Sequence, residues 1–343
     1  MPTEPKILAI QFKYFGDAVL MTPALRALRE HFPAAEIHLL VPAEIAPIFE
    51  HLSWLDRVWA MPRKRGRANL AQTWPLLRAL RRERFDRSVD FASNDRGAFL
   101  SLFVGAKQRL GWDEPGGFFG RKLFYNQRVA APRNDLPHES RRLVQLLSGW
   151  QIPPPDSFEA EICANPALAE AAKKILPAEN AVVCHVASSQ PKKEWPLTKW
   201  AELHRLAAAA GHRLVFTTAR GEREAALMTE LKTLLPEAEI LPLVPDLDLF
   251  LAVLARAKVF VSGDTGPLHF AAGLGVPTIS LFGPSDPARW APVGTKHTVL
   301  RGGDCTCEGN LFACARTPIN QNCLFMISAE QVLAALKRAT RAE

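Results

Sequence analysis

No uninterrupted apolar run in the 343-residue chain approaches the roughly 18 residues that cross a bilayer, which argues against spanning helices. The opening MPTEPKILAI moves straight into a strand without the charged and apolar regions of a secretory signal, so a cytoplasmic protein is expected. After the first strand only Gly16 stands where a G-x-G-x-x-G fingerprint needs three glycines, which weakens a dehydrogenase reading. The C-x2-C pairs of a structural zinc site are missing as well. Cys305, Cys307, Cys314 and Cys323 run C-x-C and then at gaps of six and eight, so zinc is the lesser reading, and a cytosolic setting disfavours disulfides. Cys163 and Cys184 lie in apolar, strand-like segments and read as small buried hydrophobes. The Arg clusters lack interleaved aromatics, which speaks against nucleic acid as a partner.

What is present is globular. Hydrophobic residues make up 48% and charged residues 22%, enough for a sizeable core, and the length predicts two domains. Charge is one-sided: residues 1–150 hold 23 Lys and Arg against 15 Asp and Glu (+8), the remainder 19 against 20 (−1). The excess gathers in Arg63, Lys64, Arg65 and Arg67 and in the stretch from Leu76 to Arg87. Such a half suits an anionic partner, although a solvated helix face explains the second cluster equally well.

Strand and helix patterns alternate through both halves. In the first, strands are expected at 7–10, 36–41, 57–60, 87–91 and 107–111, with helices to about His31, at 43–50, 68–84, 94–104 and 138–150. Residues 113–134 read as a long functional loop and Gln151–Ser157 as a Pro-rich linker. The second half predicts strands at 181–187, 213–217, 239–241, 258–262 and 278–282, with helices at 198–210, 222–235, 246–256, 267–274 and 328–341. Alternation of this kind implies α/β domains with parallel, doubly wound sheets. The expected boundaries are 1–152, 158–326 and a terminal helix within 327–343.

The densest signal is VFVSGDTGPLHFAAGLGVPTISLFGPSDPARW, residues 259–290. Two buried-type strands flank a polar turn in which Asp264 or Thr265 can cap a helix, Pro267 suits its first turn, and Gly275 with Pro277 ends it. The helix amides would face a phosphate, with His269 in the first helical turn. This phrase resembles the C-terminal signature of the glycosyltransferase family that contains the bacterial lipopolysaccharide heptosyltransferases. The resemblance implies the GT-B architecture, two Rossmann-like domains facing a cleft, with Asp264, Thr265, Gly266 and His269 holding a nucleotide-sugar donor. It also implies an N-terminal acceptor domain and a C-terminal donor domain.

Other segments match the same family. QFKYFGDAVLMTP resembles its N-terminal motif, which implies Asp17 as general base, beside a plain capping role. HVASSQPKKEWP resembles its donor loop, implying that Ser188, Ser189 and Lys193 contact the diphosphate. TTARGEREAAL corresponds to a strand end whose Glu receives the ribose, here Glu222, with Glu224 as the substitute. An ionised Asp can accept the proton of a sugar hydroxyl, and with no evident second carboxylate an inverting displacement is expected. Asp246 and Asp248 form an Asp-x-Asp pair, but the position before a helical run explains them as cap and dipole partner. Leaving-group charge then falls to Lys193, helix amides and His269, and no divalent metal or other cofactor is expected. The expected partners are ADP-heptose, a lipid A-core acceptor and, peripherally, the inner membrane. Two alternatives stand beside this: another donor or acceptor within the family, and a non-catalytic protein binding an anionic partner.

Overall fold

The computed structural model describes residues 4–62, 70–114, 116–118, 120–132, 137–244, 246–302 and 323–341. The chain divides into two units, Met1–Cys163 and Ala164–Glu343.

In the first unit the order is β1 (Lys6–Ile10), α1 (Phe15–Val19), α2 (Thr22–His31), β2 (Glu36–Pro42), β3 (Arg57–Met61), α3 (Leu70–Arg82), β4 (Arg87–Asp90), α4 (Asp95–Val104), β5 (Gln108–Asp113), β6 (Gln127–Ala130) and α5 (Glu139–Leu146). The six strands are parallel in the order β3-β2-β1-β4-β5-β6. Leu8 and Ile10 on one face of β1 pack with Leu77 and Leu80 of α3 and Leu100 and Val104 of α4. Alternate residues Ile7 and Ala9 are equally buried, as befits a sheet covered on both faces.

The second unit continues with α6 (Ala169–Ile175), β7 (Val182–His185), α7 (Leu197–Ala209), β8 (Leu214–Thr217), α8 (Glu222–Leu234), β9 (Glu239–Ile240), α9 (Leu247–Leu254), β10 (Val259–Gly263), α10 (Gly266–Gly273), β11 (Thr278–Phe282), α11 (Pro287–Trp290), β12 (His297–Arg301) and α12 (Ala329–Arg341). Its parallel sheet runs β12-β11-β10-β7-β8-β9, the same winding again. Val182 and Cys184 of β7 and Val259 and Val261 of β10 share a core with Trp200 and Leu203 of α7. Val332, Ala335 and Leu336 of α12 are buried in that same core.

The expected α/β class and doubly wound plan hold in both units, and two such units make up a GT-B chain. Several elements differ from the sequence reading. The single helix expected up to His31 is two, because Pro23 lacks the N–H a continuous helix needs, and Thr22 Oγ1 closes the break by donating to the Val19 carbonyl at 2.8 Å. The helix expected at 43–50 shrinks to a 3₁₀ turn at Ala46–Ile48 around Pro47. The long loop expected at 113–134 contains a 3₁₀ turn, Arg121–Phe124, and the edge strand β6. The end of the expected linker and the residues after it, to Cys163, belong to the first unit: Arg26 donates to the Ser157 carbonyl at 2.8 Å and pairs with Glu161 at 3.2 Å, while Glu161 N–H donates to Thr22 Oγ1 at 2.9 Å.

Candidate functional site

In both sheets the strand order reverses at one point, between β1 and β4 in the first unit and between β7 and β10 in the second. Loops leaving the carboxyl ends of these strands are where open α/β sheets bind ligands. All but one of the site residues read from the sequence follow β1, β7 or β10; the other, Glu222, follows β8.

In the second unit the loops after β7 and β10 are joined by an ion pair, Lys193 Nζ to Asp264 Oδ2 at 2.6 Å. Burial pushes the Asp264 carboxyl up, but the Lys193 ammonium, Ser285 and His269 together outweigh it, and the net shift is downward. The pair needs a close approach of backbones. A side chain at Gly263 would put its Cβ 2.6 Å from the Lys193 carbonyl oxygen, so only glycine fits. Thr265 takes the N-cap position of α10 in an extended conformation, yet its side chain makes no capping bond, and its buried Oγ1 has no hydrogen-bond partner. Gly266 opens α10 with Pro267 behind it, leaving the first amides directed at the turn. His269 is buried on the same helix, close enough to Asp264 to favour its charge.

Ser188 is buried and its N–H donates to Glu194 Oε1 at 2.7 Å, whereas Ser189 is exposed. Glu222 is exposed at the start of α8, and Glu224 is drawn in by Arg223 at 3.0 Å. Arg223 is a residue of this unit that sequence reasoning missed. It donates to Glu194 Oε1 at 2.7 Å and to the Ser188 carbonyl, fastening the loop after β7 from both sides. His185, at the end of β7, is buried, its imidazole pushed down to about 4 by burial against a small opposing pull from Glu224. Only the GERE spelling could have flagged Arg223, and nothing in it points to Glu194.

In the first unit Asp17 sits in the first turn of α1, mostly buried, while Tyr14 occupies the N-cap without a side-chain bond. Burial pushes its carboxyl up; Lys13, at 4.0 Å, opposes this and Glu139 adds to it, so the net shift is upward. Glu139 is a second carboxylate that the sequence reading did not name. Its side chain is fully buried and held between Lys13 Nζ at 3.4 Å and Arg142 Nη1 at 3.2 Å, the place of a counter-ion. The alternation goes on through Arg142 to Glu114 at 3.5 Å and Glu114 to Arg121 at 3.9 Å.

Across the switch point, Asp90 ends β4 completely buried. It accepts from Tyr125 Oη at 2.6 Å and from Ala92 N–H at 2.9 Å, and burial pushes its carboxyl up to about 6 against those bonds. Gly97 is required beside it, since any Cβ there would collide with the carboxylate. Arg121, anchored on the Ser93 carbonyl at 3.1 Å, borders a cavity of about 580 Å³ shared with Asp113, Glu114, Phe118 and Lys122. None of Asp90, Tyr125 or Arg121 was singled out from sequence.

The Asp-x-Asp pair is in structural use: Asp246 caps α9 by accepting from Leu249 N–H at 2.9 Å, and Asp248 accepts from Asn165 Nδ2 at 2.7 Å. Among the described residues Glu36, His38 and Glu83 are grouped closely enough to hold a cation, but Lys6 pairs with both carboxylates, at 2.9 and 2.7 Å. Cys184 and Cys323 are buried, and Cys163 is only half-buried. Cys305, Cys307, Cys314 and the basic run 63–67 lie outside the described residues.

Residues 73–313 match glycosyltransferase family 9 (heptosyltransferase). Lipopolysaccharide heptosyltransferase 2 of Escherichia coli (strain K12) is 26% identical over 316 residues, 86% of this chain and 88% of that protein. Among solved structures, a glycosyl transferase family 9 protein from Veillonella parvula superposes with a TM-score of 0.84 at 19% identity, covering 99% and 98% of the two chains. The E. coli ADP-heptose lps heptosyltransferase II superposes at 0.78 and 22%, covering 98% of each. At these identities the superpositions establish a shared fold.

Proposed function

Since the chain belongs to glycosyltransferase family 9, the heptosyltransferase family, and is a glycosyltransferase, we propose that it transfers heptose from ADP-heptose to the inner core of lipopolysaccharide. The observation that carries this reading is the Lys193–Asp264 pair beside the amino end of α10. It concentrates a cation, helix amides and the partnerless Thr265 hydroxyl at one switch point, the donor set that a sugar diphosphate requires. The E. coli relative whose name includes ADP-heptose supports the choice of donor.

In this reading the second unit binds the donor and the first supplies the base. Asp17 accepts the proton of the attacking sugar hydroxyl, and its burial makes it a stronger base than an exposed aspartate. Displacement at the anomeric carbon proceeds with inversion; Glu139, enclosed by Lys13 and Arg142, acts as a counter-ion and not as a nucleophile. Charge developing on the departing diphosphate is met by Lys193, the α10 amides and His269, with no divalent metal. Ser188 and Ser189 contact the diphosphate, and Glu222 or Glu224 the ribose. Arg121 and Lys122 flank the cavity of the first unit and suit an acidic acceptor. Such an acceptor is lipid-linked, so the enzyme works peripherally at the cytoplasmic face of the inner membrane.

The test incubates the protein with ADP-heptose and a panel of truncated lipopolysaccharide cores and reads the products by mass. A gain of one heptose on one core is expected. Release of nucleotide only from a UDP- or GDP-sugar would transfer the reading to another donor, and no transfer from any donor would overturn it.

A further inference from the structure

We propose that the outer face of α3 and α4 docks the first unit onto an anionic lipid bilayer. Trp74, Phe99 and Leu102 are 52%, 53% and 41% exposed. They form one surface, because Phe103 lies between them, its ring 6.0 Å from that of Trp74 and 6.2 Å from that of Phe99, in edge and stacked contact. Residues 99, 102 and 103 share one side of α4, and residues 74, 78 and 81 one side of α3. Scattered single exposed apolar residues need no explanation; an aromatic cluster spanning two helices does.

The charge around the cluster names the partner. Helix α3 carries Arg78, Arg81 and Arg82, all exposed, and not one acidic residue from Leu70 to Arg82. Arg81 lies over the Phe103 ring at 5.7 Å and donates to the Phe103 carbonyl. Acids at the border are already paired: Asp95 with Arg121 at 3.7 Å, and Glu83 with Lys6 at 2.7 Å and Arg57 at 3.2 Å. Tryptophan and phenylalanine rings ringed by arginine suit the bilayer interface, where the rings enter the headgroup layer and the guanidinium groups meet lipid phosphates. No described helix is long and apolar enough to cross a membrane, so the contact is peripheral.

The proposal extends the reading of a lipid-linked acceptor, but none of its residues belongs to the donor or base sets. The full chain is floated with phosphatidylcholine vesicles, with or without about 30% phosphatidylglycerol and free of any acceptor. Binding should rise about tenfold with the anionic lipid and fall with salt. It should be lost in Trp74→Ser/Phe99→Ser/Leu102→Ser and weakened in Arg78→Gln/Arg82→Gln. Both variants should transfer to a deacylated, soluble core at the wild-type rate. Absence of binding to anionic vesicles, or equal binding by wild type and variants, overturns the proposal. So does a wild-type oligomer that becomes monomeric in the triple variant, which would make the patch a contact between copies. Wild-type inactivity on the soluble core would count against the proposed reaction alone, since vesicle binding is read without it.

Discussion

The two units repeat one winding but build their switch points differently. In the second unit the proposed donor set is nearly contiguous: Ser188 to Glu194 in one loop and Asp264 to His269 in another, the two loops joined by the Lys193–Asp264 ion pair. In the first, Lys13, Asp17, Glu114, Arg121, Glu139 and Arg142 arrive from several separate stretches of chain and alternate in sign. A nucleotide diphosphate is a constant ligand that short loops and a helix end can hold. A network that balances many buried charges, the proposed acceptor side, has to be assembled from distant parts of the chain.

The difference can be broken or sharpened by substitution. The largest effect is expected from Asp17→Asn, which should lower kcat by roughly 10²–10⁴-fold while donor affinity stays within about twofold. Donor binding lost in parallel would mean that the first unit is not separate in function. In the wild type, the acid limb of kcat/KM should lie above the ordinary carboxylate range, because Asp17 is held upward by burial. Lys193→Ala should come next, with kcat/KM for the donor down about 10²–10³-fold and acceptor KM unmoved. Arg223→Gln, which loosens the same loop indirectly, should raise donor KM about tenfold with little change in kcat, as steady-state kinetics would reveal.

A further effect, on stability and not on turnover, is expected in the first unit. The Asp90 carboxyl is raised in the folded state to about 6, so the folded protein holds that proton more tightly than the unfolded chain. Its contribution is most favourable below the unfolded value and is lost as pH rises to 6, on the order of 3 kcal/mol in all. Asp90→Asn keeps the shape and removes the titration. The melting temperature of wild type should therefore fall relative to that variant between pH 4 and 7, and a constant difference would contradict the assignment.

The same contrast explains what could be read in advance. Buried parallel strands such as VVCH and VFVSG announce themselves by composition, and turn chemistry around Asp264 to Pro267 marks a helix start wherever it occurs. β6 was hidden because QRVA is a short edge strand with polar residues, and β12, HTVLR, for the same reason. Arg223 escaped because its role depends on Glu194, 29 positions away, and Asp90 because its partner Tyr125 is 35 away. Pairings across such distances leave no local period.

The strap from Ser157 to Glu161 on α2 tells where the gene can be cut. A first half ending at the prolines would strip Arg26 of its bonds to Ser157, Glu159 and Glu161 and leave the Thr22 hydroxyl without the Glu161 N–H it accepts from. One ending after Cys163 carries its own seal, which makes that junction the place to exchange first units between related enzymes.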